Sequence, residues 1–178
     1  MSSEGVQDRA QRVSEEDFRR ACSRFTTGVT IAGVVDRQGT PHGLTVNSFT
    51  SVSLDPPLVL VALAHSASVM DAFRDARFFA VNVLAAGQRA LSERFARKGH
   101  DRFDGLAWHA GETGAPLLAD TLAEIECATR YRFTAGDHDL IVGEMVRAQI
   151  REGAPLVYFA GRYRKLAGAR HGATDEPR

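Results

Sequence analysis

Six small polar side chains crowd residues 43–57, GLTVNSFTSVSLDPP: Thr45, Asn47, Ser48, Thr50, Ser51 and Ser53, set among Leu44, Val46, Phe49, Val52 and Leu54. In a strand, alternate residues face opposite ways. That puts Val46, Ser48, Thr50, Val52 and Leu54 on one side, and Thr45, Asn47, Phe49, Ser51 and Ser53 on the other. Neither side is simply core or simply solvent. Hydroxyls and an amide held this way can meet the polar rim of a flat ligand, while Val, Phe and Leu pack on its faces. The same residues also read as a Ser/Thr-rich edge strand with its turn.

Three other stretches carry side chains suited to chemistry. Ser66 and Ser68 precede a short helical pattern of Val69, Ala72 and Phe73, and Asp71 follows Ser68 at capping-box spacing. Two hydroxyls before a helix start either seat an anion or merely cap. Residues 97–102, RKGHDR, form a basic loop, either a solvated connection or a source of cations for phosphate. His138 sits in the turn AGDHD, residues 135–139. Asn82, the polar member of FFAVNVL, needs partners inside a strand, and a pinning role for a neighbouring loop fits best.

Several chemistries lack their signatures. The histidines His42, His65, His100, His109, His138 and His171 show no HExxH or HxH spacing, so a metal site gains no support. There is no GxGxxG, GxxxxGK[ST] or GxSxG, and Cys22 and Cys127 read as small core residues. In 178 residues, 22 Lys plus Arg balance 22 Asp plus Glu, which argues against nucleic-acid or acidic-membrane partners. No apolar run approaches the ~18 residues of a membrane span. Residues 1–13 lack the apolar core of a secretory signal, so a cytoplasmic location is expected.

The elements that must position these residues follow from periodicity. Ser14 with Glu15, Glu16 and Asp17 predicts a helix start, and Phe18, Ala21, Cys22 and Phe25 a stripe that lids a core, with Gly28 as the stop. Residues 29–35 and 43–49 predict a hairpin about 36–39, and Asp55-Pro56-Pro57 ends the second strand. Residues 58–63 and 78–84 read as buried strands and 88–95 as a helix. In 123–133, Ile125, Cys127, Tyr131 and Phe133 are expected to face in, and Glu124, Glu126, Arg130 and Arg132 out. Residues 140–150 return, and 155–166 give the last strand. About seven short strands with two or three helices predict a mainly β, closed or partly closed antiparallel barrel spanning 14–166, with flexible tails at 1–13 and 167–178.

Together these pieces resemble the flavin reductase family, the split-barrel reductases that partner two-component monooxygenases. The matching residues are Phe25-Thr26-Thr27-Gly28-Val29-Thr30, Gly43-Leu44-Thr45-Val46-Asn47-Ser48-Phe49, Ser51-Val52-Ser53-Leu54-Asp55-Pro56-Pro57 and Ser66-Ala67-Ser68. Phe79-Ala80-Val81-Asn82-Val83-Leu84, Phe103 with Trp108, and Gly136-Asp137-His138 before Gly143-Glu144 complete the set. The resemblance implies an FMN-binding split barrel, a six-stranded antiparallel Greek-key fold, usually a homodimer. It implies NADH- or NADPH-dependent reduction of FMN or FAD, released to a partner monooxygenase, with hydride passing from nicotinamide C4 to flavin N5. It places Thr45, Asn47, Ser48, Phe49, Ser51, Val52 and Ser53 around the flavin ring. Ala62, Leu63, Ala64, His65 and Ser66, with Ser68, would run past the ribityl chain toward a phosphate near Lys98. His138 would lie by the nicotinamide, as a stacking wall or a hydrogen-bond donor. His65 stands where the family carries a more basic residue. The alternative is a non-catalytic split barrel that holds flavin tightly for electron transfer or storage.

Overall fold

The computed structural model describes residues 13–99 and 102–166. The tails expected to be flexible lie, but for Val13, outside the described residues, as do His100 and Asp101 of the basic loop. Helix α1 (Glu15–Cys22) starts as its sequence dictates: the Ser14 hydroxyl accepts from the Asp17 N–H at 3.0 Å, with three acids in the first turn. It ends earlier than expected, at Ser23, and Gly28 belongs instead to a short strand, β1 (Thr27–Gly28). Its apolar stripe is no lid. Phe18 is 62% and Phe25 78% exposed, and Cys22 is exposed too, because no other described element packs over that face.

The next strands are β2 (Thr30–Val35), β3 (Pro41–Val46), β4 (Thr50–Leu54) and β5 (Pro57–Ala64). The β2–β3 hairpin turns through Gly39 at φ +84°, and Asp36 accepts from the N–H groups of Gln38 and Thr40 there. The β4–β5 hairpin turns through the cis Asp55–Pro56 bond, with Pro57 opening β5, where a strand tolerates a missing donor. Helix α2 (Met70–Asp75), β6 (Phe78–Val83) and helix α3 (Arg89–Ala96) follow. Then come β7 (Trp108–Ala110), β8 (Pro116–Leu118), β9 (Ala123–Ala135), β10 (His138–Ile150), β11 (Val157–Phe159) and β12 (Arg162–Arg164). The expected last strand is thus a hairpin of β11 and β12, folded at Ala160 and Gly161, both with positive φ.

The main sheet runs β3-β2-β6-β9-β10-β5-β4, antiparallel throughout. Its two edge strands, β3 and β4, are separated by only residues 47–49, so the sheet must curl until its edges meet. The polar stretch 43–57 is broken there into β3 and β4. Val34, Val61, Leu63, Phe79, Val81 and Ile141 fill the curl, capped by Met70 and Phe73 of α2. A second cluster of Ile31, Leu84, Phe95, Phe103 and Leu118 lies under α3. Gly43 permits that packing: a Cβ there would stand 2.9 Å from the Phe95 ring and 3.2 Å from that of Phe103. Asn82 pins a neighbour, but the strand β8 in place of the expected loop, donating to Ile31 O and Pro116 O and accepting from Leu118 N–H.

Two strands depart from their expected patterns. In β5 only Val59, Val61 and Leu63 are buried, and the residues between are half covered or exposed, since the strand lies next to the edge and only one face is core. In β9, Glu124 and Glu126 are buried, because the loop before β8 and Arg151 cover the face that would otherwise be wet. Glu126 accepts from the N–H groups of Glu112 and Thr113, and Glu124 pairs with Arg151 at 2.7 Å. Gly111 is obligatory beside it, since a Cβ would approach the Glu126 carboxylate to 2.4 Å. A bulge opposite Val142 and Gly143 then shifts the alternation. Beyond it Tyr131 and Phe133 are exposed, stacked on each other at 6.0 Å, while Arg132 reaches Phe73 O and Ala76 O at the foot of α2.

Candidate functional site

The seam of the curled sheet is closed by one side chain. Ser48 Oγ accepts from Ala62 N–H at 3.0 Å and donates to Ala62 O at 2.9 Å, standing in for a strand residue where β3 has ended and β4 has not begun. Beside it the Thr45 hydroxyl donates to Ser92 O at 2.7 Å, and the Ser92 and Tyr163 hydroxyls pair at 2.9 Å. Thr45 and Asn47 line a cavity of about 200 Å³ with Val29, Ser92, Tyr158 and Tyr163. Asn47 is exposed, and its amide has no partner among the described residues. Phe49 is half-buried against the barrel core. Along β4 a bulge between Ser51 and Ser53 breaks the expected alternation and turns Val52 outward, so Ser51, Val52 and half-covered Ser53 border open space.

Strand β5 carries the site onward. Ala62 and Ala64 are half covered, while Leu63 points into the core, so only its backbone can meet a ligand. Ala64 is the register partner of His138, which brings the β9–β10 turn alongside. His65 N–H then donates to Asp137 O, its Nε2 pairs with Asp139 Oδ1 at 2.8 Å, and Thr134 donates to the same oxygen. His138 Nδ1 pairs with Asp137 Oδ1 at 2.7 Å. The hydrogen bond from His138 holds the Asp137 carboxyl below its ordinary range, and that from His65, then Thr134, does the same for Asp139. Neither aspartate was given a role in the sequence reading, although both flank His138 in GDHD.

Ser66 is exposed. Ser68 does not cap α2: Val69 holds that position without a side-chain bond, and Ser68 Oγ accepts instead from Arg102 Nη2 at 3.1 Å. Arg102 also donates to Gly43 O and Arg97 O, tying the basic loop to β3, and burial pulls its pKa down. Lys98 is exposed and bonded to nothing among the described residues. Arg102, not Lys98, is therefore the cation the fold builds in. Residues 62–68 thus string together the polar seam, the His138 turn and the Ser68–Arg102 pair. A larger cavity, about 510 Å³, opens beyond Ser68, between α2 and the β2–β3 turn, away from the seam.

This chain matches the flavin reductase-like domain over residues 22–167, most of its length and all of the barrel. It belongs to the flavin reductase-like family. Among family members, the FMN reductase (NADH) SmoA of Agrobacterium fabrum is 46% identical over 154 residues, covering 86% of this chain and 87% of the relative. The reductase component of the flavin-dependent trigonelline monooxygenase of Acinetobacter baylyi is 41% identical over 83% of this chain, which spans only 47% of that longer relative. The solved NADH:FAD oxidoreductase SgcE6 of Streptomyces globisporus, in complex with NAD and FAD fragments, superposes with a TM-score of 0.82 at 38% identity. That superposition covers 90% of this chain and 99% of the other. The mainly β, antiparallel barrel is the architecture of these split-barrel reductases, and no described helix is long and apolar enough to cross a membrane.

The donor set fits a flavin. An isoalloxazine ring needs small hydroxyl, amide and backbone partners at its rim and apolar contact on its faces, which Asn47, Ser51 and Ser53 beside exposed Val52 could supply. A phosphate needs a cation, which Arg102 or Lys98 could supply.

Proposed function

We propose that this chain is an NAD(P)H:flavin oxidoreductase that reduces FMN or FAD and releases it to a partner monooxygenase. The observation that carries this reading is the 62–68 segment, which sets the polar seam, the His138 turn and the Arg102 cation in one line. Thr45, Asn47, Ser48, Phe49, Ser51, Val52 and Ser53 hold the ring. Residues 62–66 with Ser68 pass the ribityl chain, and Lys98 with Arg102 meets the phosphate. His138, steadied by Asp137, orients the nicotinamide.

The flavin and the nicotinamide supply the chemistry, a hydride transfer between C4 and N5. The residues need only hold two flat rings face to face and donate to the rim where charge grows. The names of the relatives support the reductant, the flavin and the oxygenase partner. We also propose a homodimer working in the cytoplasm. Exposed Phe18, Val52, Leu54, Tyr131, Phe133 and Ile150 leave apolar surface for a second copy to cover, and Asn47 and Ser51 beside the seam are exposed.

The test is steady-state oxidation of NADH and NADPH with and without added FMN, FAD and riboflavin. Turnover that requires added flavin is expected. No turnover with any pair overturns the reading, and a flavin that never exchanges moves it to the tight-binding module.

A further inference from the structure

The cavity of about 200 Å³ beside the seam is walled on one side by Tyr163, which β12 brings in from the far end of the barrel domain. Its volume suits one flat ring, since a cavity of about 150 Å³ accepts a benzene. The ring of Tyr163 is fixed from two directions. The Arg89 guanidinium lies over it at 5.2 Å, and the Tyr158 ring meets it edge-on at 5.4 Å. Its hydroxyl therefore stands at a set place in the cavity wall.

Partner counting places the protons of the three hydroxyls here, each of which has one proton and two lone pairs. Thr45 donates its proton to Ser92 O at 2.7 Å, a carbonyl that can only accept. Toward the cavity Thr45 thus offers lone pairs alone. The Ser92 and Tyr163 hydroxyls lie 2.9 Å apart, with one proton between them. Ser92 is fully buried, and its hydroxyl has no other partner among the described residues. A buried donor left unpaired costs free energy, so Ser92 donates and Tyr163 accepts. The proton of half-buried Tyr163 is then free for the cavity. Exposed Asn47 adds an amide donor at the same cavity.

These walls offer two donors and one acceptor. The pyrimidine edge of an oxidised isoalloxazine ring has the complementary set: one N–H, at N3, between the carbonyls at C2 and C4. We propose that Tyr163 is a flavin-binding residue, its hydroxyl donating to one carbonyl of this edge while Thr45 accepts from N3–H. The inference rests on the flavin reductase reading and adds the orientation of the ring, pyrimidine edge toward α3 and β12. Asn47 meets the other carbonyl. Thr45, with no proton left to give, makes the N3–H a requirement.

Calorimetric titration of the full chain with riboflavin and 3-methylriboflavin tests it. Methylation removes the N3 proton and is expected to weaken binding about tenfold or more, about 1.4 kcal/mol. In Thr45→Val the two flavins should bind equally, at the weaker level, and in Thr45→Ser the difference should return. Tyr163→Phe keeps the ring without its hydroxyl. It should weaken both flavins about fivefold, the worth of one hydrogen bond, with the N3 difference kept. A Tyr163→Phe chain with a lower Tm but unchanged riboflavin affinity overturns the binding role and leaves Tyr163 a support for Ser92. Should that variant fail to fold, the unmodified chain and Thr45→Val carry the test. Equal affinity of the unmodified chain for the two flavins, or a difference that persists in Thr45→Val, overturns this inference alone. Failure of both flavins to bind, with no flavin-dependent oxidation of NADH or NADPH, overturns the flavin reading and this inference with it.

Discussion

At the scale of single residues, the roles proposed for His138 and Ser66 would separate the two substrates. His138 is held by Asp137 at 2.7 Å on the β9–β10 turn, while Ser66 stands exposed on the loop after β5. His138→Ala is expected to raise the nicotinamide KM or lower kcat while flavin affinity stays near that of the unmodified chain, as read by paired kinetics and calorimetry. Equal loss of flavin binding would place His138 in the flavin site instead. Ser66→Asp puts a like charge by the proposed phosphate seat, and should weaken FMN more than riboflavin by about tenfold. A uniform effect on both flavins would move the phosphate elsewhere. The thiols divide in the same local way. Cys127 is buried, and burial, then the neighbouring Glu126 charge, pushes its pKa up to about 12, whereas Cys22 is exposed.

At the scale of elements, the seam and the clasp between the β5 loop and the β9–β10 turn matter most. Ser48 satisfies both backbone groups of Ala62 across the seam. Ser48→Ala leaves them without that partner and should cost roughly 1–3 kcal/mol. In a domain of this size that is a fall of about 2–10 °C in Tm, readable by circular dichroism. No change in Tm would mean that the seam is closed by other contacts. In the clasp, Asp139 accepts from His65 and Thr134, and its folded pKa is depressed. The unfolded chain therefore binds the proton more readily, and stability rises with pH across that window. The contribution is complete above the unfolded value of about 4 and is lost as pH falls below it toward the folded value. Asp139→Asn should flatten this acid limb in urea unfolding series between pH 2 and 5, while Asp36, bonded to His42 elsewhere, keeps its own share. An unchanged acid limb would show that Asp139 has no part in it.

At the scale of the whole molecule, surfaces left over by the fold set the expected assembly. Leu54 at the sheet edge is 96% exposed, and Tyr131 with Phe133 makes a stacked apolar pair beyond the β9 bulge. Strand edges and patches of this kind are ordinarily covered. Light scattering on the purified chain is expected to give about twice the 19.4 kDa of one copy. A single-copy mass at micromolar concentration would overturn the dimer.

Patterns that depend on near neighbours were legible in the chain itself. These include the Ser14 cap, the β2–β3 turn, the FFAVNVL strand with its pinning Asn82 and the mainly β character. So was the ordered set of polar and glycine-bearing segments that marks the family. Each follows from local backbone preference or from a period that a single element imposes. Contacts between distant segments were decided only by the tertiary structure. Burial of Glu124 and Glu126 depends on a loop and an arginine arriving from elsewhere to cover one face of β9. The outward turn of Tyr131 and Phe133 depends on a bulge, which no alternation rule announces. Arg102 rather than Lys98 meets Ser68 because the loop folds back on β3, and Ser48 closes the seam because the sheet's edges meet at Ala62. A sequence specifies the period of each element. Which side chains share a site depends on how the sheet curls, and that is settled by the packing of the whole chain.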